Sequence, residues 1–251
     1  MTKRGTPVKG QRRERGSLNP EDIIDGAFEL AEQISIDNMS MPLLGKHLGV
    51  GVTSIYWYFR KKDDLLTAMA DRALRQYAFD TPFVAADDWR ESLAAHARTM
   101  RDTFLGNPIL CDLILIGAAL SPKAARLGVR QTEQAVANLV EAGLSLEDAF
   151  DTYSAVELHV RGSVVLERLY QKRQEATEAD AGAYYENMVA APDTAPLFAE
   201  ATARGHRFGA PDERNFEYGL TCILDHAAGL VAPPPTAAKA PARRSRSTAG
   251  R

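Results

Sequence analysis

The chain has 251 residues, of which 45% are hydrophobic and 25% charged, and its net charge at pH 7 is −3. This length allows one or two domains with a sizeable core. The sequence contains no run of 18 apolar residues, so we expect no membrane span. The basic N-terminus lacks the apolar stretch of a secretory signal, so we expect a soluble, cytoplasmic protein. Cys111 and Cys222 form neither a metal-binding spacing nor a disulfide framework, and both are expected to be buried free thiols.

The modest net charge hides a strong asymmetry along the chain. Residues 1–16 and residues 232–251 each carry a net charge of +5, so the intervening residues 17–231 carry −13. Residues 1–17 are expected to be a disordered basic arm and residues 232–251 a disordered basic tail, since neither can bury enough apolar surface to fold. Nucleic acid would be repelled by most of the body, so any attraction must come from local basic segments.

Apolar residues recur with helical spacing throughout, and no stretch alternates as a strand would, which predicts an all-α fold. Asn19 is expected to cap the first helix, and Asp63 the fourth. Thr81-Pro82 breaks the pattern and separates a domain over 18–80 from a larger one over 81–231. The expected helices are 20–35, 41–48, 52–59, 63–78, 87–105, 109–120, 122–142, 145–172, 182–190, 195–204 and 212–231.

Two short helical segments, Met41–Leu48 and Val52–Phe59, are joined by Gly49-Val50-Gly51. This is the layout of a helix-turn-helix, whose second helix can enter a DNA major groove. Gly45 supplies the small residue needed where the helices cross, and Gly49 can adopt the positive φ of the turn. Taken alone, the pattern also fits an ordinary helical hairpin in an all-α core.

The aromatic run over 55–59, followed by Arg60-Lys61-Lys62-Asp63-Asp64, resembles the signature of the TetR family of bacterial transcriptional regulators. The resemblance covers about residues 19–77. It implies a three-helix helix-turn-helix DNA-binding domain followed by a larger helical domain for ligand binding and dimerisation. The segment from Ala142 to Ala149, with residues 153–156, more weakly resembles the tetracycline-repressor subfamily.

The resemblance also implies a homodimer in which two long helices per subunit, here 145–172 and 212–231, form a four-helix bundle. The apolar stripe expected on the first comprises Leu146, Phe150, Tyr153, Val156, Val160, Val164 and Leu169. A buried helix of a monomer would show the same stripe, so the residues alone leave dimerisation open.

If the second helix of the motif enters the major groove, Val52, Thr53 and Ser54 face the base edges, with Tyr56 and Trp57 one turn further on. Ile55 and Phe59 are interpreted as core. Three further candidates would contact phosphates: Tyr58, Lys62 and, through backbone N–H groups at a helix start, Ser40. Because this helix offers few groups that bind a base through two hydrogen bonds, we expect the basic arm to supply affinity for double-stranded operator DNA.

A small-molecule effector would bind between helices of the second domain. The candidate lining residues are His96, Met100, Phe104, Ile116, Phe150 and Tyr153, a set that suits a partly hydrophobic ligand. Apolar residues at helical spacing are more often simply core. The tetracycline-repressor subfamily holds a magnesium–drug complex through a histidine whose position corresponds to Ala119 here, so we expect neither that complex nor any metal or cofactor.

These features predict a ligand-responsive transcriptional regulator, by family habit a repressor, that binds a palindromic operator as a homodimer and is released by its effector. The alternative is a DNA-binding regulator or adaptor without an effector. An enzyme is less favoured, because no GxSxG, HExxH, P-loop or GxGxxG motif stands in its structural context. The five histidines form no ligand-spaced pair within one helix.

Overall fold

The computed structural model describes residues 18–76, 86–117, 120–177 and 195–231. Within these ranges every regular element is helical, which confirms the all-α prediction. The predictions for the basic arm, the domain break at Thr81-Pro82, the helix over 182–190 and the basic tail lie outside the described residues. The α-helices are α1 (Pro20–Asn38), α2 (Met41–Leu48), α3 (Val52–Tyr56), α4 (Lys62–Gln76), α5 (Trp89–Leu105), α6 (Pro108–Leu110), α7 (Pro122–Glu141), α8 (Leu146–Thr177), α9 (Pro196–Ala203) and α10 (Glu213–Leu230).

Side-chain caps define several helix starts. The Asn19 side chain accepts a hydrogen bond from the Asp22 backbone N–H (2.9 Å), and the Asp22 carboxylate accepts one from the Asn19 N–H (3.2 Å). This reciprocal pair, with Pro20 in the first turn, confirms the predicted start of α1. The prediction for α4 was wrong in detail: the helix begins at Lys62, so Asp63 lies inside the first turn, where its charge still favours the helix dipole.

Two of the predicted helices differ in shape from expectation. The third ends at Tyr56, because the chain turns there to bring Phe59 back onto the core. The expected helix over 109–120 is instead α6 followed by a π-helical segment, Cys111–Ile116. The wider turn closes with a hydrogen bond from the Gly117 N–H to the Asp112 carbonyl (2.8 Å), five residues apart.

Residues 18–76, which we call the head, have their own hydrophobic core. Helices α1, α2, α3 and α4 contribute to it, and it also receives Leu113 from the π-helical segment. Its fully buried large side chains are Ile23, Leu44, Ile55, Leu65, Met69 and Leu113. The head therefore rests directly on the rest of the molecule through that segment.

The described residues from 86 onward, which we call the body, surround a second core formed mainly by α5, α7, α8 and α10. Helix α8 runs through it and buries Tyr153, Val156, Val160 and Val164, as predicted. The three other members of the stripe are exposed, so the seven residues do not share one buried face: Leu146, Phe150 and Leu169. They lie where α8 has no neighbouring helix among the described residues to cover them.

Three arginines of α5 hold α10 in place. The Arg98 guanidinium donates two hydrogen bonds to Glu217, at 2.8 and 2.9 Å. Arg101 donates to Glu213 (2.7 Å), and Arg90 pairs with Asp225 near the other end of α10. This ladder clamps one side of α10 and leaves its opposite side facing outward beside α8. Within the described ranges, no helix is both long and apolar enough to cross a membrane.

Candidate functional site

The turn between α2 and α3 depends on two glycines. Gly49 ends α2 with φ +68°, a left-handed conformation that a side chain would disfavour. A Cβ added to Gly45 would lie 3.2 Å from the Val50 carbonyl oxygen and 3.4 Å from the Val52 Cα. The close approach of α3 to α2 therefore explains Gly45, and the left-handed turn explains Gly49, as the sequence indicated.

Helix α3 is anchored from one side and exposed on the other. Ile55 is completely buried in the head core and Phe59 nearly so, which confirms their predicted roles. Thr53 and Ser54 are exposed, Val52 is half-buried, and Tyr56 is exposed beside them. The Trp57 side chain is 85% exposed. So large an aromatic surface in water, next to two hydroxyl side chains, marks a contact surface rather than a core.

The candidate phosphate contacts have partners within the chain. Ser40 caps α2 by accepting a weak hydrogen bond from the Leu43 N–H (3.4 Å). The Tyr58 hydroxyl donates to the Leu18 carbonyl (2.8 Å), and the Lys62 ammonium donates to the Ile36 carbonyl (2.8 Å). In this structure Tyr58 and Lys62 therefore fasten the head together, and their contact with phosphate stays a prediction.

Three exposed cations that were not among the predicted DNA contacts flank α3. Arg60 and Lys61 are exposed in the turn after α3, and Lys46 is exposed on α2. Lys61 lies 3.7 Å from the Asp63 carboxylate in a fully solvated pair that water can break. Their position within or directly after the motif was the signal that the sequence offered.

Four of the predicted ligand residues meet in the body core. His96, Met100 and Phe104 on α5 and Tyr153 on α8 are all buried. The His96 Nε2 lies 3.4 Å from the Tyr153 hydroxyl, and their rings stack with centroids 6.0 Å apart. A polar pair in an otherwise apolar core is the composition expected of a small-molecule site.

A fifth residue of this cluster, Glu157, was not among the predicted ligand residues, although it follows Tyr153 by one turn of α8 and so lies on the same side of the helix. Its Oε1 lies 3.8 Å from the His96 Nε2, and Arg161 pairs with its other oxygen at 2.7 Å. Burial would raise the pKa of Glu157, but His96 and Arg161 more than offset this and lower it. Burial, and then the nearby Glu157, raise the pKa of the Tyr153 hydroxyl, so both groups keep their ordinary charge states.

The two remaining candidates do not join this cluster. Ile116 lies at the end of the π-helical segment and is 40% exposed, and the Phe150 side chain is 55% exposed. Their part in ligand binding stays a prediction.

The cysteines differ from one another. Cys111 is buried, and burial raises the pKa of its thiol to about 11, which makes it unreactive. The prediction was wrong for Cys222, which is exposed because it lies on the outward side of α10. Across the described part of the chain, no group of three or more His, Cys, Asp or Glu side chains is arranged to hold a metal ion.

Comparison with known proteins agrees with this arrangement. Residues 23–69 match the family model described as bacterial regulatory proteins of the tetR family, and residues 81–230 match the tetracycline repressor-like C-terminal domain. The chain is 70% identical over 227 residues to an HTH-type transcriptional repressor of Mycobacterium tuberculosis, covering 90% of this chain and 86% of that protein.

A second relative is the class A tetracycline repressor protein from transposon 1721 of Escherichia coli. It is 32% identical over 211 residues, which cover 83% of this chain and 89% of the relative. Among solved structures, a possible TetR family transcriptional regulator from Streptomyces coelicolor has a TM-score of 0.65 at 24% identity, covering 84% of this chain and 99% of that one.

Both halves of the chain match the same family, and the helix-turn-helix lies within the first match. The protein is a DNA-binding transcription factor and not an enzyme. It belongs to the TetR family of bacterial transcriptional regulators.

Proposed function

We propose that the protein is a cytoplasmic repressor that binds a palindromic operator as a homodimer and is released by a small, partly hydrophobic effector. The observation that carries the DNA-binding part is the outward face of α3. There Thr53, Ser54 and Trp57 are exposed while Ile55 holds the helix rigidly in the core. An exposed reading surface on a fixed helix is what recognition in a major groove requires.

The homodimer is supported by the outward side of α8 and α10. The Leu158 side chain is 73% exposed and that of Tyr218 75%. Partly or fully exposed small and apolar residues on α8 follow the 3-4-3-4 spacing of a helix–helix seam. They are Ala155, Leu158, Gly162, Val165 and Leu169.

A groove with a volume of about 420 Å³ runs beside this seam between α8 and α10. Its lining mixes apolar and polar side chains: Asp148, Asp151, Thr152, Ala155, Cys222, Ile223, His226 and Leu230. Large apolar side chains as exposed as Leu158 and Tyr218 are typical of a protein–protein contact surface. We propose that the same face of a second copy covers it, so that the two pairs of helices form a four-helix bundle.

The effector site is proposed at the cluster of His96, Tyr153 and Glu157, with Met100 and Phe104 as its apolar walls. A ligand with a hydroxyl or amide group could replace the long hydrogen bond between His96 and Tyr153. Such a ligand would be partly hydrophobic because two of the five side chains offer only carbon and sulfur.

A mobility-shift assay on the DNA upstream of the protein's own gene, followed by footprinting, tests this function. The expected result is protection of a palindrome whose half-sites are about one helical turn or more apart. Replacing Thr53 and Ser54 by alanine should weaken binding to that site more than to random DNA. Titration with a panel of hydrophobic metabolites and drugs should release the complex saturably. Binding without release by any of them would favour the regulator that lacks an effector.

Deleting residues 1–15 should weaken operator binding and flatten its dependence on salt. These residues carry a net charge of +5, and each phosphate contact contributes about 0.9 to the slope of log K against log salt concentration. Fluorescence anisotropy between 50 and 200 mM salt measures that slope. An unchanged slope contradicts a role of the arm in binding.

Deleting residues 232–251, which also carry +5, is the matched control. Leu230, at the end of α10, lines the groove together with Asp148 in the first turn of α8. Lys172, near the other end of α8, contacts the head. At 1.5 Å per residue, Asp148 and Lys172 are roughly 36 Å apart along the helix. The end of α10 at Leu230 therefore lies at the pole opposite the head, and removing residues 232–251 should change the slope less.

Tetracycline with magnesium should leave the thermal unfolding midpoint unchanged. Ala119 stands where the tetracycline-repressor subfamily holds the metal through an imidazole. A ligand present at 100 times its Kd would stabilise the folded state by about 2.7 kcal/mol, which corresponds to roughly 5–10 °C for a chain of this size. Differential scanning fluorimetry would detect such a shift, and a rise of several degrees refutes the expectation.

A further inference from the structure

The π-helical segment forms the wall between head and body. Leu113 points into the head core, whereas the preceding Leu110 and Cys111 are buried in the body core. Because both cores pack against this one segment, a shift of its backbone would be felt on both sides. Asp112 lies between the two sets of apolar residues.

The Asp112 carboxylate is the centre of a buried ion network. Its side chain is 4% exposed, and it accepts two hydrogen bonds from the Arg168 guanidinium, at 3.0 and 2.9 Å. The Lys172 ammonium lies 3.0 Å from the same carboxylate. Arg168 and Lys172 are one turn apart on α8, so together they fix the π-helical segment against that helix.

Lys172 extends this network to the head. Its ammonium also donates a hydrogen bond to the Asp37 carboxylate in the last turn of α1, at 2.7 Å. A pair between Lys172 and the largely exposed Asp37 alone would contribute little. Here the lysine is only 19% exposed and already held by Asp112, so little further side-chain freedom is lost when it binds Asp37.

The last turn of α1 is set apart from the rest of the helix. Ser35 has φ +66° and ψ 152°, and among the described residues it is the one non-glycine residue with positive φ. Lys62 of α4 holds the turn from one side through the Ile36 carbonyl, and Lys172 of α8 holds it from the other. Because this strained turn is hydrogen-bonded to both α4 and α8, a change in the position of either helix can change the position of the end of α1.

We propose that Lys172 is a positioning residue for the DNA-reading head. By binding Asp112 and Asp37 together, it transmits the position of the π-helical segment and α8 to the last turn of α1, and so fixes the orientation of the head on the body. This inference rests on the proposed function, because orientation matters when two heads must meet half-sites at a set spacing.

Hydrogen–deuterium exchange of the full-length protein without DNA tests the mechanical link. In Lys172→Met, backbone amides of the last turn of α1 and of the segment 112–116 should both exchange about tenfold faster. Lys172→Arg, whose guanidinium can still reach two carboxylates, should stay near the wild-type rate. Adding Asp37→Asn to Lys172→Met should have no further effect on the last turn of α1, because the bond they share is already lost.

Arg98→Met is the matched control, since it removes a cation from an ion pair between two helices of the body. It should change exchange in α5 and α10 and leave α1 at the wild-type rate. The proposal is overturned if Lys172→Met alters exchange only within α8, or if Arg98→Met speeds the last turn of α1 equally.

Operator spacing supplies the functional readout. Inserting one base pair between the half-sites of the footprinted operator should strongly raise the Kd of the wild-type protein. For Lys172→Met the same insertion should raise the Kd by a factor at least fivefold smaller. Unchanged discrimination in the variant overturns the positioning role. If the wild-type protein shifts no DNA, the proposed function fails, while the exchange data still decide whether Lys172 holds α1.

Discussion

Replacing Asp112 by alanine is expected to lower the free energy of unfolding by about 3–5 kcal/mol. The substitution leaves the Arg168 guanidinium, whose side chain is 8% exposed, and the Lys172 ammonium close together without the carboxylate between them. The buried Arg168 guanidinium loses the carboxylate that accepts its two hydrogen bonds, and it repels the nearby Lys172 ammonium, which keeps only Asp37 as a partner among the two carboxylates. Urea unfolding monitored by circular dichroism measures the change, which corresponds to a fall of roughly 10–15 °C in the midpoint of thermal unfolding.

Glu200→Ala provides the control, because its pair with Arg204 is exposed and joins neighbouring turns of α9. Glu200→Ala should lower the free energy of unfolding by no more than about 0.5 kcal/mol. Replacing Asp112, Arg168 and Lys172 together by apolar residues should recover much of the stability lost by Asp112→Ala, since no charge remains buried. Exposed ion pairs contribute on the order of 1 kcal/mol or less. This account is contradicted if the free energy of unfolding of Asp112→Ala lies within about 1 kcal/mol of the wild-type value.

Replacing Leu158 by arginine is expected to dissociate the proposed homodimer and to remove specific operator binding. Leu158 is the most exposed large apolar residue of α8 and belongs to its outward seam. A symmetric dimer that uses this seam would bury two introduced cations, and one unpaired buried charge already costs about 3–5 kcal/mol. The dimer dissociation constant should therefore rise by at least about a hundredfold.

Sedimentation velocity at micromolar concentration measures the oligomeric state, and the footprint reports whether both half-sites are still protected. Val129→Arg on α7 is the matched control: Val129 is also largely exposed, but it lies on a different helix. It should leave the dimer intact. A Leu158→Arg protein that sediments as the wild type does excludes this face as the interface.

The helix-turn-helix could be predicted from sequence because its determinants are local. Asn19 and Pro20 start α1, and Gly49 ends α2, through interactions that reach no more than four residues along the chain. The aromatic run after Ile55 identified the family, and the family implied the second domain. The residues predicted to contact DNA follow from helical spacing, because Ile55 marks the buried side of α3 and Thr53 and Ser54 lie on the exposed side.

Helical spacing was a poorer guide in the body. Helix α8 has apolar residues on more than one side. The pattern therefore indicates that other helices pack against it but does not indicate which helix covers which side. Phe150 and Tyr153 were assigned to one stripe, yet Tyr153 is buried and Phe150 faces outward. The exposure of Cys222 has the same cause, because apolar neighbours in sequence do not reveal which side of α10 meets α5.

The sequence by itself determined that the chain is all-helical, where most helices begin and end, and that it carries a reading head of the TetR family, because periodicity, caps and turn glycines act over one or two helical turns. Only the tertiary structure brought together Asp112 with Arg168, 56 residues away, and Asp37 with Lys172, 135 residues away. In the sequence Asp37, Arg168 and Lys172 resemble ordinary solvated charges, and Asp112 is an isolated acidic residue in an apolar segment. Because two cores pack against one π-helical segment, Asp112 and Arg168 are removed from water. The resulting ion network, extended by Lys172 to Asp37, connects the head to the body.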